Sequence, residues 1–470
     1  MPASPVIHWF RRDLRLSDNP ALHAAAETGS DVIPVYVLSS WKTQHGWTGP
    51  ARQQFLLDSL DSLARNLEAQ GSRLILRAGD AAHELRRLVQ QTGARALFFN
   101  RDYDPFGRAM EQRIQSVCRK LGIECHSYQE RVLHEPDAVL TGSGDPYRVF
   151  TPYSRNWLNQ TKPQPVPRPQ HLGSVPSNLD SLPHPTLAYW SLPATTATLP
   201  VAGERAARDR MKAFLQSDRL TGYQTHRDTP AGQTTSGLSQ DLRFGLIGIR
   251  ELYHRCTKVR EQVEAKARPS IDTYIKELAW REFYQAILFH YPHVFEEEFN
   301  PDWRGLPWPG TEQAFNAWAA GRTGFPIVDA GMRQLLATGL MHNRVRMIVS
   351  MFLTKDLHCD WRLGESFFMQ HLIDGENASN NGGWQWSSGT GADAAPYFRI
   401  QNPWTQSQRY DPDGSYIRRW VPELAGVSAA RLTAPPKDGR PIAPGYPSPM
   451  VDHATERDRT LARFKRHRHP

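Results

Sequence analysis

The feature that most constrains this chain is a proline tract. Residues 161–200, out of 470, hold nine prolines, four of them between Pro163 and Pro169. Proline fixes φ and removes a backbone donor, so neither a regular helix nor a central strand runs through such a stretch. It reads as an extended connector with folded parts on either side. The expected organisation is a domain at 1–132, a connector at 133–200 and a second domain at 201–470.

The first part alternates short apolar runs with amphipathic stretches. Val6–Phe10, Val32–Leu38, Leu74–Arg77 and Ala96–Asn100 read as strands. Arg52–Gln70, Ala81–Gln91 and Gly107–Leu121 carry the helical period between them. Such alternation predicts an α/β domain with a Rossmann-like parallel sheet. No GxGxxG follows the first strand, so dinucleotide binding there is not supported. After Val201 strand signals vanish. Helical periodicity runs through Arg205–Gln216, Ile271–Phe289, Glu312–Ala320, Asp329–Ala337, Asn343–Leu353 and Glu365–Leu372, which predicts an all-α second domain.

Composition narrows the class. With 39% hydrophobic and 22% charged residues, wholesale disorder is excluded. No stretch approaches the roughly 20 apolar residues a membrane span needs, and the N-terminus lacks a secretory pattern. Four cysteines without CxxC spacing fit a reducing, cytoplasmic setting. The 18 histidines show no ligand spacing, so no metal site is expected. Lys and Arg exceed Asp and Glu by 56 − 48 = 8, which suggests a polyanionic partner, nucleic acid first. Nine of the 14 tryptophans lie beyond residue 270. The six basic residues in Arg457–Arg468 read as a solvated end, and so do His467 and His469.

Three clusters in the helical half could carry chemistry. Gln233–Ser239 sets consecutive hydroxyls around a glycine ahead of a helix, which suits phosphate oxygens or a plain helix cap. Glu277 and Trp280 share a helix face, as a carboxylate and a ring for a base, or as a surface acid beside a core indole. Asn343, Arg346 and Met347 fall on one helix face and could surround a polar heteroaromatic ring. The run Asn380-Asn-Gly-Gly-Trp384-Gln-Trp386 reads as a rigid loop, with Gly382 and Gly383 allowing close backbone approach, or as a tight turn with core aromatics.

These residues carry a family resemblance. His8–Asn19, Gly142–Trp157, Thr235–Ser239, Glu277–Tyr284, Gly324–Met332, Met341–Met347, Asp374–Trp386 and Tyr397–Gln406 resemble the photolyase/cryptochrome family in order. The chain looks most like the class I cyclobutane pyrimidine dimer photolyases of bacteria. The resemblance implies an N-terminal α/β antenna domain and a helical FAD-binding domain. It implies light-driven repair of pyrimidine dimers in DNA by electron transfer from excited, reduced anionic FAD to a flipped-out dimer. A cryptochrome-like photoreceptor is the alternative.

Site roles follow from the same resemblance. Tyr223, Thr235, Ser236, Gly237, Leu238 and Ser239 correspond to the FAD phosphate site. Arg346, Asp374, Gly375, Glu376 and Asn380 correspond to residues beside the flavin ring, Arg346 and Asp374 as an ion pair. Glu277, Trp280, Asn343, Arg344, Met347 and Trp386 correspond to the lesion pocket. Arg227, Arg344, Arg399 and Gln406, together with Glu277, correspond to DNA contacts. Trp384, Trp361 and Trp308 correspond to the photoreduction triad. Related six-four photolyases carry His where Asn343 stands, so six-four repair is disfavoured. Asp104-Pro-Phe-Gly-Arg108, with Arg52, Asp102 and Arg243, resembles deazaflavin-binding rather than folate-binding members, with a flavin, an empty site or a plain helix start as the alternatives. The resemblance further implies a monomer that acts on dimer-containing DNA and has no membrane partner.

Overall fold

A computed structural model describes residues 4–39, 46–394 and 396–468. Contacts divide the chain into two compact units. One comprises Met1–Thr195, Pro200–Thr221 and Ser236–Pro292; the other comprises Thr196–Leu199, Gly222–Thr235 and His293–Pro470. The first unit therefore takes helices from both sides of the proline tract, although composition changes near residue 201. The tract itself is irregular apart from a 3-10 turn at Leu187–Trp190.

The first unit is built on a five-stranded sheet: β1 (Val6–Phe10), β2 (Val32–Leu38), β3 (Ile75–Ala78), β4 (Ala96–Asn100) and β5 (Glu124–Tyr128). The order is β3-β2-β1-β4-β5 and every pairing is parallel, with Val6 opposite both Val32 and Ala96. The three central strands are buried throughout, as continuous apolar runs require in a sheet covered on both faces. Helices Pro50–Glu68, Ala81–Thr92 and Pro105–Leu121 follow the expected periodicity within two residues. Asp80 and Asp104 cap two of them from the side chain, and Gly93 and Gly122 end them in the left-handed conformation. The third strand starts at Ile75 rather than Leu74, and β5 had no counterpart among the expected strands.

Two further helices of this unit, Phe150–Asn159 and Arg268–His290, pack together. Their seam holds a buried carboxyl. Glu282 accepts from the Trp157 indole N–H at 2.7 Å and from the backbone N–H groups of Leu133 at 2.5 Å and His134 at 3.2 Å. Burial outweighs those three donors and pushes this carboxyl up to about 7.

The second unit is helical. It contains Pro326–Thr338, Asn343–Met351, a π-helical turn at Phe352–Asp356, Trp361–His371, Asn377–Ser388, Pro403–Tyr410 and His453–Arg468. Its core gathers Trp318, Trp361, Trp384 and Trp404 with Phe325, Phe352 and Phe368. Much of the tryptophan skew is thus core packing.

Two expectations are corrected here. The Asn380–Trp386 run is not a loop: it lies inside the helix Asn377–Ser388. The Glu376 side chain caps that helix by accepting from the Ser379 N–H at 3.0 Å, and Gly389 closes it. A Cβ added at Gly383 would meet nothing within 4 Å, so that glycine does not serve close packing against other protein atoms. Nor is the basic C-terminal stretch simply solvated. In His453–Arg468 the side chains of His453, Glu456, Thr460, Arg463 and Phe464 are buried. His467 stacks near Trp303 at 6.2 Å, whereas His469 lies outside the described residues. Among the described residues no helix is long and apolar enough to cross a membrane.

Candidate flavin and DNA site

In the first unit, the strand order reverses between β1 and β4. In open parallel sheets the crevice beyond the carboxyl ends at such a point is the usual ligand position. Here charged side chains fill it. Asp102 pairs with Arg12 at 3.2 Å and with Arg131, and Asp104 pairs with Arg12 at 3.0 Å while capping the next helix. Despite burial, these guanidinium groups hold the Asp102 carboxyl far below the ordinary range, with Arg243 adding to the effect. Arg52 donates instead to the carbonyl of Trp47. Of the four expected antenna residues, Asp102, Asp104 and Arg243 belong to one charged cluster, and Arg52 bonds the carbonyl of Trp47.

Glu277 and Trp280 do share a face of Arg268–His290, and both are half-buried. The Trp280 ring stacks on Phe150, centroids 3.6 Å apart and planes 10° from parallel, with Phe283 edge-on. Its orientation is therefore set by aromatic packing before any ligand arrives. Ser236–Ser239 precede and open the short helix Ser239–Phe244. No side chain caps that helix, so the plain N-cap alternative for this stretch does not hold. Gly237 adopts φ 64°, where glycine is favoured.

In the second unit, His342 caps Asn343–Met351 by accepting from the Arg344 N–H through Nδ1 at 3.2 Å. The Asn343 amide lies 3.9 Å and the Arg344 guanidinium 3.7 Å from the Met347 sulfur. Arg344 also pairs with Asp228 at 2.9 Å and lies over the Tyr410 ring at 4.6 Å. The cation that joins Asn343 and Met347 is therefore Arg344. Arg346, expected on that face, turns to Asp374 at 2.7 Å and to the carbonyl of Met341 at 2.8 Å. The second oxygen of Asp374 is buried without a partner.

The side chains around Asn380 form a network. Asn380 donates one amide N–H to the carbonyl of Glu365 at 3.0 Å, which leaves its second N–H and its oxygen. Asn381 donates to the Glu365 carboxyl at 3.0 Å and to the carbonyl of Val294 at 2.9 Å. Burial pushes Glu365 up to about 8, so it is a neutral acid at pH 7. Glu365, Asp228 and Tyr410 escaped the sequence reading, because each reaches the site from another helix or turn and no local spacing marks it. Tyr223 opens the short helix Tyr223–His226, and Arg227 caps its end with its guanidinium 6.0 Å from the Tyr223 ring. Arg399 is exposed beside Phe398, which is 61% exposed, and Gln406 is half-buried in Pro403–Tyr410.

Trp384 and Trp361 are both members of the main core, and Trp308 packs against its rim from an irregular segment. Trp384 meets Phe368 edge-on at 4.9 Å and Trp318 at 6.0 Å. Trp386 is half-buried, two residues further along the same helix.

Comparison with known proteins places the chain in a family. Residues 6–170 match the family model described as DNA photolyase, and residues 274–466 match that of the FAD binding domain of DNA photolyase. A deoxyribodipyrimidine photo-lyase of Synechococcus sp. is 41% identical over 461 residues, covering 96% of this chain and 94% of that protein. A bacterial class III photolyase from Agrobacterium tumefaciens, solved by crystallography, matches with a TM-score of 0.92 and 40% identity over 100% of this chain and 99% of its own. An archaeal photolyase from Sulfolobus tokodaii, solved with two FAD molecules, matches with a TM-score of 0.84 and 31% identity over 98% and 100%. The chain belongs to the DNA photolyase family, with a FAD-binding helical half.

Proposed function

We propose that this chain is a deoxyribodipyrimidine photo-lyase that uses light to split cyclobutane pyrimidine dimers in DNA. The observation that carries the reading is the paired arrangement of Arg346 with Asp374, and of Asn380 with its amide nitrogen anchored on the carbonyl of Glu365. The residues fit FAD on their own chemistry. Asp374 keeps one buried oxygen without a protein partner, and the Gly383 position has open space where a Cβ would stand. When bound, reduced FAD supplies the light-excited electron that opens the cyclobutane ring and takes it back afterwards.

The protein groups do the rest. Arg346 offers a positive charge to an anionic ring, and Asp374 fixes its guanidinium. Asn380 presents a carbonyl oxygen and has no acidic proton to give away. Tyr223, Thr235, Ser236, Gly237, Leu238 and Ser239 bind phosphate oxygens through hydroxyl and backbone N–H groups. Glu277 bonds a pyrimidine edge, while Trp280 and Trp386 form apolar walls. Asn343, Arg344 and Met347 also face the lesion. A dimer stacks and pairs poorly, so extruding it costs less than flipping an intact base pair. Arg227, Arg344, Arg399 and Gln406 hold the phosphodiester backbone and fix register rather than sequence. Trp384, Trp361 and Trp308 carry electrons inward to restore the reduced cofactor. A second, deazaflavin-type chromophore is favoured over folate by Asp104–Arg108, with the α/β unit as its carrier.

The test is Glu277→Ala in FAD-loaded, reduced protein. Dimer repair per absorbed photon should fall about tenfold or more, while binding to dimer-containing DNA falls by less than about threefold, as expected for a contact made mainly in the reacting complex. Equal losses in the two assays would remove Glu277 from the reaction. Unchanged repair would do the same.

A further inference from the structure

We propose that the groove between the helices Glu204–Leu215 and Ile249–Gln262 binds a free nucleoside diphosphate, a ligand that dimer repair does not call for. Both helices belong to the first unit. The groove has a volume of about 450 Å³, within the range of small-molecule sites. None of the residues assigned above to flavin, lesion, DNA or antenna lines it.

The two walls carry the same order of side chains. Arg208, Lys212 and Gln216 follow one helix at intervals of four, and Arg255, Lys258 and Gln262 follow the other at intervals of three and four. Such intervals keep each row on one face. A carboxylate sets the first rung. Glu251 is 8% exposed and accepts from Arg208 at 2.8 Å and from Arg255 at 2.7 Å. It holds the two guanidinium groups together, while their side chains stay 36% and 50% exposed. Lys212 and Lys258 are exposed, and among the described residues neither pairs with a carboxylate. The other acid of the groove is Asp209, so four cations face two carboxylates and the groove is net positive.

The ligand's chemistry follows from the gradient along these rows. Guanidinium forks and ammonium groups suit phosphate oxygens. Gln216 caps the end of one helix and Gln262 is the last residue of the other. Helix C-termini carry partial negative charge, which keeps phosphate toward the arginines and away from the glutamines. The glutamine amides each offer donors and an acceptor, the pattern that a base edge needs. Met211, Leu215 and Val259 add apolar surface to the same lining, for a sugar and a ring face. From Arg208 to Gln216 the helix rises about 12 Å, the reach of a nucleoside diphosphate from terminal phosphate to base. A bare phosphate leaves the apolar surface and both glutamines unused.

The experiment is isothermal titration calorimetry on FAD-loaded protein, in which the flavin already fills its own site. ADP should bind one to one with a Kd below about 0.1 mM, and more weakly as salt rises. Lys212→Ala combined with Lys258→Ala should weaken ADP by about tenfold or more, whereas Lys212→Arg combined with Lys258→Arg should keep it. Gln216→Leu combined with Gln262→Leu should weaken ADP and leave inorganic pyrophosphate unchanged. Undamaged duplex DNA should not displace ADP. Absence of ADP binding, or binding indifferent to the loss of both lysines, would overturn the proposal. Pyrophosphate binding as tight as that of ADP would also overturn it, because no base would then be recognised. Displacement by duplex DNA would do the same and make the groove a strip of backbone contacts.

Discussion

Gly364 sits in the first turn of Trp361–His371, and a methyl group there has no room. A Cβ on its backbone would lie 2.0, 2.4 and 2.6 Å from three atoms of the Trp384 benzo ring. Ordinary contact begins near 3.4 Å, so the ring must retreat by about 1.4 Å. Phe368 at 4.9 Å and Trp318 at 6.0 Å stand in the way. Overpacking of this kind costs about 1–3 kcal/mol, against a gain of about 1 kcal/mol for alanine over glycine inside a helix. The clash is severe, so Gly364→Ala should lose a net 1–2 kcal/mol or so. Gly383 is the built-in control, because it is also helical and its Cβ would meet nothing within 4 Å. Gly383→Ala in the apoprotein should be neutral or gain up to about 1 kcal/mol. Urea unfolding followed by tryptophan fluorescence compares the two directly. Equal midpoints for the two variants would refute the steric argument.

Two further outcomes concern buried acids. Glu365 has its carboxyl raised to about 8, so the folded state holds a proton that the unfolded chain releases above its ordinary value of 4.5. Its contribution is fully present below about pH 4.5 and fades as pH rises toward 8, by at most about 5 kcal/mol. Unfolding midpoints should therefore fall between pH 6 and pH 9, and Glu365→Gln should flatten that slope; parallel slopes would contradict it. Trp157→Phe removes one of three donors to Glu282. It should destabilise by about 2–4 kcal/mol, with a larger loss at pH 9 than at pH 6, because the lost bond matters most when the carboxyl is charged. A loss independent of pH would assign the effect to packing alone.

The sequence was most legible where one period dominates. Val6–Phe10, Val32–Leu38 and Ala96–Asn100 match the observed strands residue for residue, since an apolar run of five to seven residues between helices has little alternative. Glu124–Tyr128 reads Glu-Cys-His-Ser-Tyr and lies at the sheet edge, half-exposed, so no apolar run announces it. Asn377–Ser388 was unreadable for another reason. Asn-Asn-Gly-Gly has poor helix propensity, and the helix is held by tertiary bonds from Asn380, Asn381 and Gln385 to Glu365, Val294 and Glu297. The Arg346–Asp374 pair spans 28 positions and was visible only through resemblance. Asp228 reaches Arg344 across 116 positions, and a linear pattern holds no trace of it.

The Glu282 carboxyl bears on how the first unit is made. It bonds the backbone of Leu133 from 149 positions further along the chain. At translation rates of about 5–20 residues per second, Leu133 leaves the ribosome roughly 7–30 s before its partner exists. A five-stranded sheet can form in that interval, yet the Trp157 indole and two backbone N–H groups must stay solvated until residue 282 arrives. The nascent α/β part therefore passes through a long period with its seam to Arg268–His290 open. Slow synthesis through residues 160–280 would prolong exposure of that seam to chaperones and proteases.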